Sequence, residues 1–249
     1  MTNWVTATVK TTKKWSDNLF SLILKAPIAP FTAGQFTKIA MKNKHGKYIQ
    51  RAYSYVNSPN DSNLEFYIIL IPGGKFTTTL YHLKPYDTLL ISQNAFGYFT
   101  LKEIPNSEIL WMFATGTAIG PYCSILQENK DIKRFNKIVL IHAVRYAREL
   151  NYLPLFKKMQ KVYKENLKIV TIVSREHHSK SLFGRIPDLI KNNLIEKQTG
   201  LNLEISTSHI MLCGNPNMVK DTLRLLQITR NMQKHLRRKS GHITTENYW

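Results

Sequence analysis

Residues 51–56 read Arg51-Ala52-Tyr53-Ser54-Tyr55-Val56, an aromatic, strand-like run that closes on the turn signal Asn57-Ser58-Pro59. On an extended chain, positions i and i+2 share a face, so Arg51 and Tyr53 address the same side of a strand. A guanidinium suits a phosphate, and an aromatic ring suits a flat heterocycle. Ser54 falls on the opposite face or at a kink and offers one donor and one acceptor. The stretch therefore predicts a strand that grips a nucleotide-like ligand.

Working outward, the first hundred residues keep the same character. Val5–Lys10, Leu19–Leu24, Phe36–Met41, Gln50–Val56, Leu64–Leu70 and Thr88–Ser92 are short runs rich in β-branched and aromatic residues. Asn43–Gly46, Ser58–Ser62, Pro72-Gly73-Gly74 and Pro85-Tyr86-Asp87 punctuate them. Regular short strands without long helices predict an antiparallel barrel or sandwich. One short helix is expected at Thr77–Leu83, opened by the glycine-rich turn Gly73-Gly74-Lys75-Phe76-Thr77.

Beyond about Lys102 the period changes. Ile109–Ala114, Lys137–His142, Leu167–Val173 and His209–Leu212 are continuous apolar runs, as parallel strands buried on both faces require. Between them, Leu153, Phe156, Met159 and Val162 recur near helical spacing. Asn215-Pro216 reads as a cap and first-turn proline, with Val219, Thr222 and Leu226 continuing one helix face. Strand–helix alternation predicts a βαβ sheet. The fold class is thus two-domain, an antiparallel β-barrel or sandwich over residues 1–103, the barrel being the expected form, followed by an α/β parallel-sheet domain over 104–249.

Composition bounds the rest. The chain has 249 residues, 43% of them apolar, enough for two modest cores. It contains only Cys123 and Cys213, too few for a disulfide framework or a four-cysteine cluster, which fits a reducing cytoplasm. No apolar run reaches membrane-spanning length, and the start reads as no signal peptide. The net charge of +19 points to an acidic partner or to compositional drift, and both stay open. No RNA-binding aromatic signature or helix-turn-helix accompanies the lysines, so nucleic acid is not expected as a partner. No zinc spacing, P-loop or nucleophile elbow is present, so no metal site is expected. His177 and His178 read as solvated loop residues, and Cys123 as helix core. Lys234-His235-Leu236-Arg237-Arg238-Lys239 forms a basic cluster that either docks an acidic carrier or is simply solvated.

Three motifs recur in a fixed order: Arg51-Ala52-Tyr53-Ser54, then Ala114-Thr115-Gly116-Thr117-Ala118-Ile119-Gly120-Pro121, then Leu212-Cys213-Gly214-Asn215-Pro216. The chain ends on Glu246-Asn247-Tyr248-Trp249. In this combination, running from Trp4 to Trp249, the sequence resembles the ferredoxin–NADP reductase family, and within it the bacterial flavodoxin/ferredoxin–NADP reductases. The resemblance implies that the first domain binds FAD and the second NADP(H) as substrate. It implies a reductase passing hydride from NADPH to the flavin N5 and single electrons to flavodoxin or ferredoxin. A flavin reductase serving an oxygenase or another redox partner is the alternative. A monomer is expected.

The resemblance also assigns residues. Tyr53 packs on the isoalloxazine, Ser54 lies near N5 and Arg51 meets the pyrophosphate, with Ala52 between them. Tyr67-Ile68-Ile69-Leu70 and Lys75-Phe76-Thr77 contribute to flavin binding. Thr117 lies on the flavin side of the second motif. Tyr248 and Trp249 return to the flavin, and which covers which ring stays open. Val144-Arg145, Ser174-Arg175 and Arg185 take the 2′-phosphate of NADPH, and Asp221 matches a nucleotide contact. Cys213 borders the nicotinamide, and Glu246 orients it or relays protons.

Overall fold

The computed structural model describes residues 2–42 and 46–248. The chain forms two compact units: Met1–Thr100 with Gly120–Glu128, and Leu101–Ile119 with Asn129–Trp249.

In the first unit, β1 (Trp4–Lys14), β2 (Leu19–Lys25), β3 (Phe36–Lys42), β4 (Tyr48–Ser54), β5 (Leu64–Ile69) and β6 (Thr88–Ser92) form one antiparallel sheet. The strand order is β4-β3-β6-β1-β2-β5. Alternate residues face inward: Phe20, Leu22 and Leu24 from β2, Phe66 and Ile68 from β5, and Leu89 and Ile91 from β6 share one core. The strand expected over Gln50–Val56 starts earlier and stops at Ser54, because the backbone then changes partner. Tyr55 N donates to Gln35 O at 3.2 Å, and Val56 N donates to Glu65 O at 2.9 Å, joining the end of β4 to β5 and curling the sheet on itself. The helix α1 (Lys75–Tyr81) begins two residues before its predicted start. Gly74 caps it, and the Thr77 hydroxyl turns back onto Gly74 O at 3.2 Å, placing Thr77 inside the first turn. A second helix, α2 (Gly120–Glu128), belongs to this unit although it follows the second motif in sequence. Ser124 Oγ donates to Asn57 O at 2.7 Å and Gln127 Nε2 to Val56 O at 2.9 Å, and Cys123 is buried. The chain therefore crosses between units three times, where the sequence pattern predicts a single cut at 103/104.

The second unit is a parallel sheet of β7 (Ile109–Thr115), β8 (Lys137–Val144), β9 (Leu167–Val173), β10 (Leu182–Phe183), β11 (Ser208–Gly214) and β12 (Ile243–Asn247). Its order is β10-β9-β8-β7-β11-β12. From β7 the chain winds outward through β8, β9 and β10, then returns to place β11 on the other side. The reversal makes a switch point at the carboxyl ends of β7 and β11, where open α/β sheets bind ligands. Helices α3 (Leu153–Tyr163), α4 (Ile186–Lys191), α5 (Leu194–Thr199) and α6 (Pro216–Arg230) connect the strands. In α3 the buried face is Phe156, Met159 and Tyr163, while Val162 is 50% exposed. Steps of three lag a 3.6-residue turn, so by Val162 the predicted stripe has rotated off the core and Tyr163 replaces it. In α6 the predicted face holds: Val219, Thr222 and Leu226 are buried, and Asn215 Oδ1 caps the amides of Asn217 and Met218. Sequence reasoning missed β12, which pairs in parallel with β11 and anchors the C-terminal segment. No described helix is long and apolar enough to cross a membrane.

Candidate functional site

In the first unit, β4 ends the strand order and pairs only with β3, so most of its side chains remain accessible. Arg51 and Ala52 are exposed, Tyr53 is half-buried and Ser54 is buried. The Arg51 guanidinium donates to Gln50 O at 2.8 Å and has no carboxylate partner among the described residues. Burial pushes the Tyr53 phenol well above its ordinary value, with the Arg51 charge pulling partly the other way. The Tyr53 and Phe76 rings lie nearly parallel, 14° apart in plane, with centroids at 6.4 Å. Phe76, one of the three residues of its turn implied in flavin binding, thus presents its ring beside Tyr53.

Its neighbours divide. Lys75 is exposed. The Thr77 hydroxyl is spent inside the turn, accepting from Ile71 N at 3.2 Å while donating to Gly74 O. Ile68 lies in the barrel core and Tyr67 is buried, whereas Ile69 and Leu70 are half-buried. From Ile68, therefore, only main-chain atoms are open to a ligand, because strand alternation turns its side chain inward.

In the second unit, the 3₁₀ turn Gly116–Ile119 follows β7 and buries Thr117. Gly116 takes φ +54°, and its carbonyl meets His142 Nε2 at 3.0 Å. A carbonyl only accepts, so Nε2 carries the proton. Burial pulls the His142 pKa down to about 4, which keeps the ring neutral.

Across the switch point, Cys213 and Glu246 are register partners on β11 and β12. Burial, then the nearby Glu246 carboxylate, push the Cys213 thiol well above its usual value. Burial alone raises Glu246 to about 7. The next residue, Gly214, has φ +145°, and a Cβ there would collide with Thr115 Oγ1 and approach Thr115 N to 3.1 Å. Thr115 Oγ1 accepts from Asn215 N at 2.9 Å, pinning the start of α6 to the end of β7. Tyr248 N donates to Gly214 O at 3.0 Å, which continues the β12 pairing by one residue. Trp249 lies outside the described residues.

The three arginines occupy successive carboxyl ends of β8, β9 and β10. Arg175 N donates to Arg145 O at 3.0 Å, Ser174 N to Val144 O at 3.1 Å, and Gly184 N to Val173 O at 3.3 Å, lacing the loops together. Two carboxylates nearby are turned to backbone: Glu149 accepts from Arg145 N at 3.0 Å and Glu176 from Ala147 N at 2.7 Å. Arg145, Arg175 and Arg185 are exposed and form no ion pair among the described residues. Val144 itself is buried, so it offers only its main chain. Asp221 stands on the exposed face of α6.

The fold thus brings Cys213 beside Glu246, draws the three arginine loops into one edge, and sets Tyr53 beside Phe76. Sequence reasoning assigned no individual role to Thr115 or His142, whose hydrogen-bond partners lie 100 and 26 residues away respectively. The paired histidines are not simply solvated: His177 stacks on Phe183 at 4.2 Å and His178 Nδ1 meets Ser181 Oγ at 3.0 Å. Among the described residues, no group of three or more His, Cys, Asp or Glu is placed to hold a metal.

Residues 6–96 match the oxidoreductase FAD-binding domain and residues 112–224 the oxidoreductase NAD-binding domain. The chain is 59% identical, over all of both chains, to the flavodoxin/ferredoxin–NADP reductase of Buchnera aphidicola subsp. Schizaphis graminum (strain Sg). The chain belongs to the flavodoxin/ferredoxin–NADP reductase family. The family member of Escherichia coli (strain K12) is 53% identical over the full length of each. A ferredoxin NADP+ reductase of Neisseria gonorrhoeae, solved with bound FAD and NADP, superposes with a TM-score of 0.92 at 30% identity over the whole of both chains. The fold reaches further: a flavohemoglobin of Malassezia yamatoensis gives a TM-score of 0.81 at 18% identity, covering 99% of this chain and 60% of its own.

Proposed function

We propose that this chain is an FAD-dependent reductase that moves electrons between NADPH and flavodoxin or ferredoxin. The observation that carries the reading is the Cys213–Glu246 pair at the switch point, followed by a turn that only glycine fits. That combination leaves room for a flat ring to approach backbone at a sheet edge, with a titratable carboxyl beside it.

The residues present fit both groups. When bound, FAD takes two electrons from the nicotinamide as hydride and hands them on singly, as the carriers require. Arg51, without an acid partner, offers a bidentate donor to the pyrophosphate. Tyr53 and Phe76 offer two near-parallel aromatic faces, and the buried phenol of Tyr53 stays neutral. Ser54 Oγ, engaged by no described residue, is a free donor beside them. Ala52, Tyr67, Ile68, Ile69, Leu70, Lys75, Thr77, Thr117, Tyr248 and Trp249 complete the flavin site in this reading, Ile68 and Thr77 through main-chain atoms.

Arg145, Arg175 and Arg185 supply the charge that a 2′-phosphate needs and a plain ribose does not, and Ser174 Oγ, which donates to Val144 O at 3.2 Å, can turn that proton to the phosphate. Val144 shapes that pocket through its backbone, and Asp221 faces the nucleotide from α6. Cys213, held as a neutral thiol, is a small polarizable wall for the nicotinamide. Glu246, with its pKa near 7, holds a proton for part of the time at neutral pH and can take or return one there. No side chain forms a covalent bond; positioning supplies the rate.

The division into a 1–103 flavin domain and a 104–249 nucleotide domain, with α2 lent to the first, is part of this reading. So are a cytoplasmic location and a monomeric state, the latter checked by sedimentation. The test is the rate of flavodoxin and ferredoxin reduction by NADPH, titrated with salt. A net charge of +19 predicts that rates fall as salt screens an acidic carrier. No transfer to either carrier, or rates indifferent to salt, would contradict it.

A further inference from the structure

We propose that His142 is a positioning residue for hydride transfer: its Nε2–H holds the Gly116 carbonyl and so fixes the plane of the Gly116–Thr117 peptide. The inference rests on the NADPH reading above and adds a side chain outside the residues assigned to either cofactor.

His142 departs from the composition of its strand. β8 otherwise runs Lys137-Ile138-Val139-Leu140-Ile141 and Ala143-Val144, and His142 is 1% exposed. Ile141 and Ala143 turn to the core shared with α6, so His142, one step off, turns to the opposite face. There the Phe156 ring of α3 stands edge-on to it, with centroids 6.4 Å apart and planes at 88°. Its Nδ1 is buried and has no hydrogen-bond partner among the described residues. An apolar side chain would leave no buried acceptor unpaired, so packing alone does not call for an imidazole. What the imidazole adds is one bond, from Nε2 to Gly116 O at 3.0 Å.

That bond is made where the sheet lets go. Thr115 and Ala143 are the last register pair of β7 and β8. Gly116 follows with φ +54° and opens the short turn Gly116–Ile119. Glycine populates both signs of φ with little preference, so local sterics do not set its peptide. A trans peptide is planar, and its C=O and N–H point opposite ways. Holding the Gly116 carbonyl on the His142 side therefore aims the Thr117 N–H the other way and fixes the start of the turn. In the NADPH reading this turn carries Thr117 to the flavin. A shift of its first peptide by about an ångström is enough to misalign the reacting atoms, with the arginine and Tyr53 contacts left in place.

Two measurements on the FAD-loaded protein test this. Long-range ¹H–¹⁵N NMR of the imidazoles, with the His142 signal identified by its loss in His142→Gln, should show a ring protonated at Nε2. A ring without a proton on Nε2 refutes the proposal. The second compares wild type with His142→Leu, His142→Gln and His142→Asn, recording the limiting rate of flavin reduction at saturating NADPH, the Kd for NADP⁺ by calorimetry, and Tm. His142→Leu should slow reduction about ten- to a hundred-fold, with the NADP⁺ Kd within about two-fold of wild type. His142→Gln, whose amide N–H reaches the place of Nε2, should recover most of the rate. His142→Asn, whose amide reaches only the place of Nδ1, should not. A His142→Leu rate within about two-fold of wild type overturns the proposal while the NADPH reading stands. Equal slowing in His142→Gln and His142→Asn, or a loss of rate matched by an equal loss of NADP⁺ affinity, assigns His142 to packing and overturns it too. Should His142→Leu fail to fold, the Gln and Asn variants decide alone. If NADPH does not reduce the flavin of wild type at all, the NADPH reading falls and takes this inference with it.

Discussion

Strands β4 and β11 are both seven residues long, and both carry residues of the proposed site, yet they do so in opposite ways. β4 ends its sheet, and of its residues only Ser54 is fully buried. It offers side chains along its length, so Arg51, Tyr53 and Ser54 form a local signature. β11 lies between β7 and β12, and every one of its residues is buried. It can act only where it stops, and there its action depends on residues brought by other strands: Thr115 from β7 and Glu246 from β12. An edge strand binds by what it displays, and a central strand by how it ends.

Breaking the end of β11 should therefore cost more than trimming any one side chain of β4. Gly214→Ala forces a Cβ into Thr115 and a side chain onto φ +145°. Displacing that turn by an ångström is expected to lower NADPH-driven flavin reduction by about a hundred-fold. Stopped-flow reduction, with circular dichroism to confirm the fold, measures it. A variant within a few-fold of wild type would show that the turn is not close to the reacting groups.

Second in size is the charge at the neighbouring strand ends. Arg175→Ala should raise the KM for NADPH by about ten- to a hundred-fold, the worth of a charge-assisted hydrogen bond or two. The KM for NADH should hardly move. Equal losses with both cofactors would remove the assignment of this edge to the 2′-phosphate.

For β4 the expected loss is gentler. Tyr53→Ala removes one of two near-parallel rings and should weaken FAD by about ten-fold. Flavin retained after gel filtration is the readout. Retention equal to wild type would show that β4 decorates the sheet and grips nothing.

The smallest effect sharpens the contrast through pH. Glu246 has its folded pKa raised from 4.5 to about 7, so the folded state binds the extra proton. Its contribution is complete below about pH 4.5 and is lost as pH rises through about 7. His142 has the opposite sign: lowered to about 4, it favours the fold above pH 6.5 and destabilises it as pH falls. Comparing Glu246→Gln with wild type isolates the first. The variant should gain stability relative to wild type, by urea midpoint, between about pH 4.5 and 7. A constant difference across that range would mean the Glu246 carboxyl is not buried in solution.

The same contrast explains what could be read from the sequence. The alternation of β2, β5 and β6, the continuous apolar runs of β7, β8, β9 and β11, and the Asn215-Pro216 cap are local, and each was legible; the two-residue β10 was not. The strand placement of Arg51, Tyr53 and Ser54 was legible for the same reason. The strand identity of Ile243–Asn247 was not, because its pattern is short and its stability comes from lying against β11. Thr115 and His142 were invisible because their partners are set by topology. The place of the Phe76 ring beside Tyr53 was not legible: a glycine-rich turn announces a helix start, but it does not say where the second side chain of that helix will point.

The central claim is a reductase with a bound flavin that NADPH reduces. Its most direct test is anaerobic: purify the chain, supply FAD, remove the excess, and follow the visible flavin band on adding NADPH or NADH. Protein that stays yellow and is bleached far faster by NADPH than by NADH is the predicted result. Protein that stays colourless, or a band that neither cofactor bleaches, would contradict it.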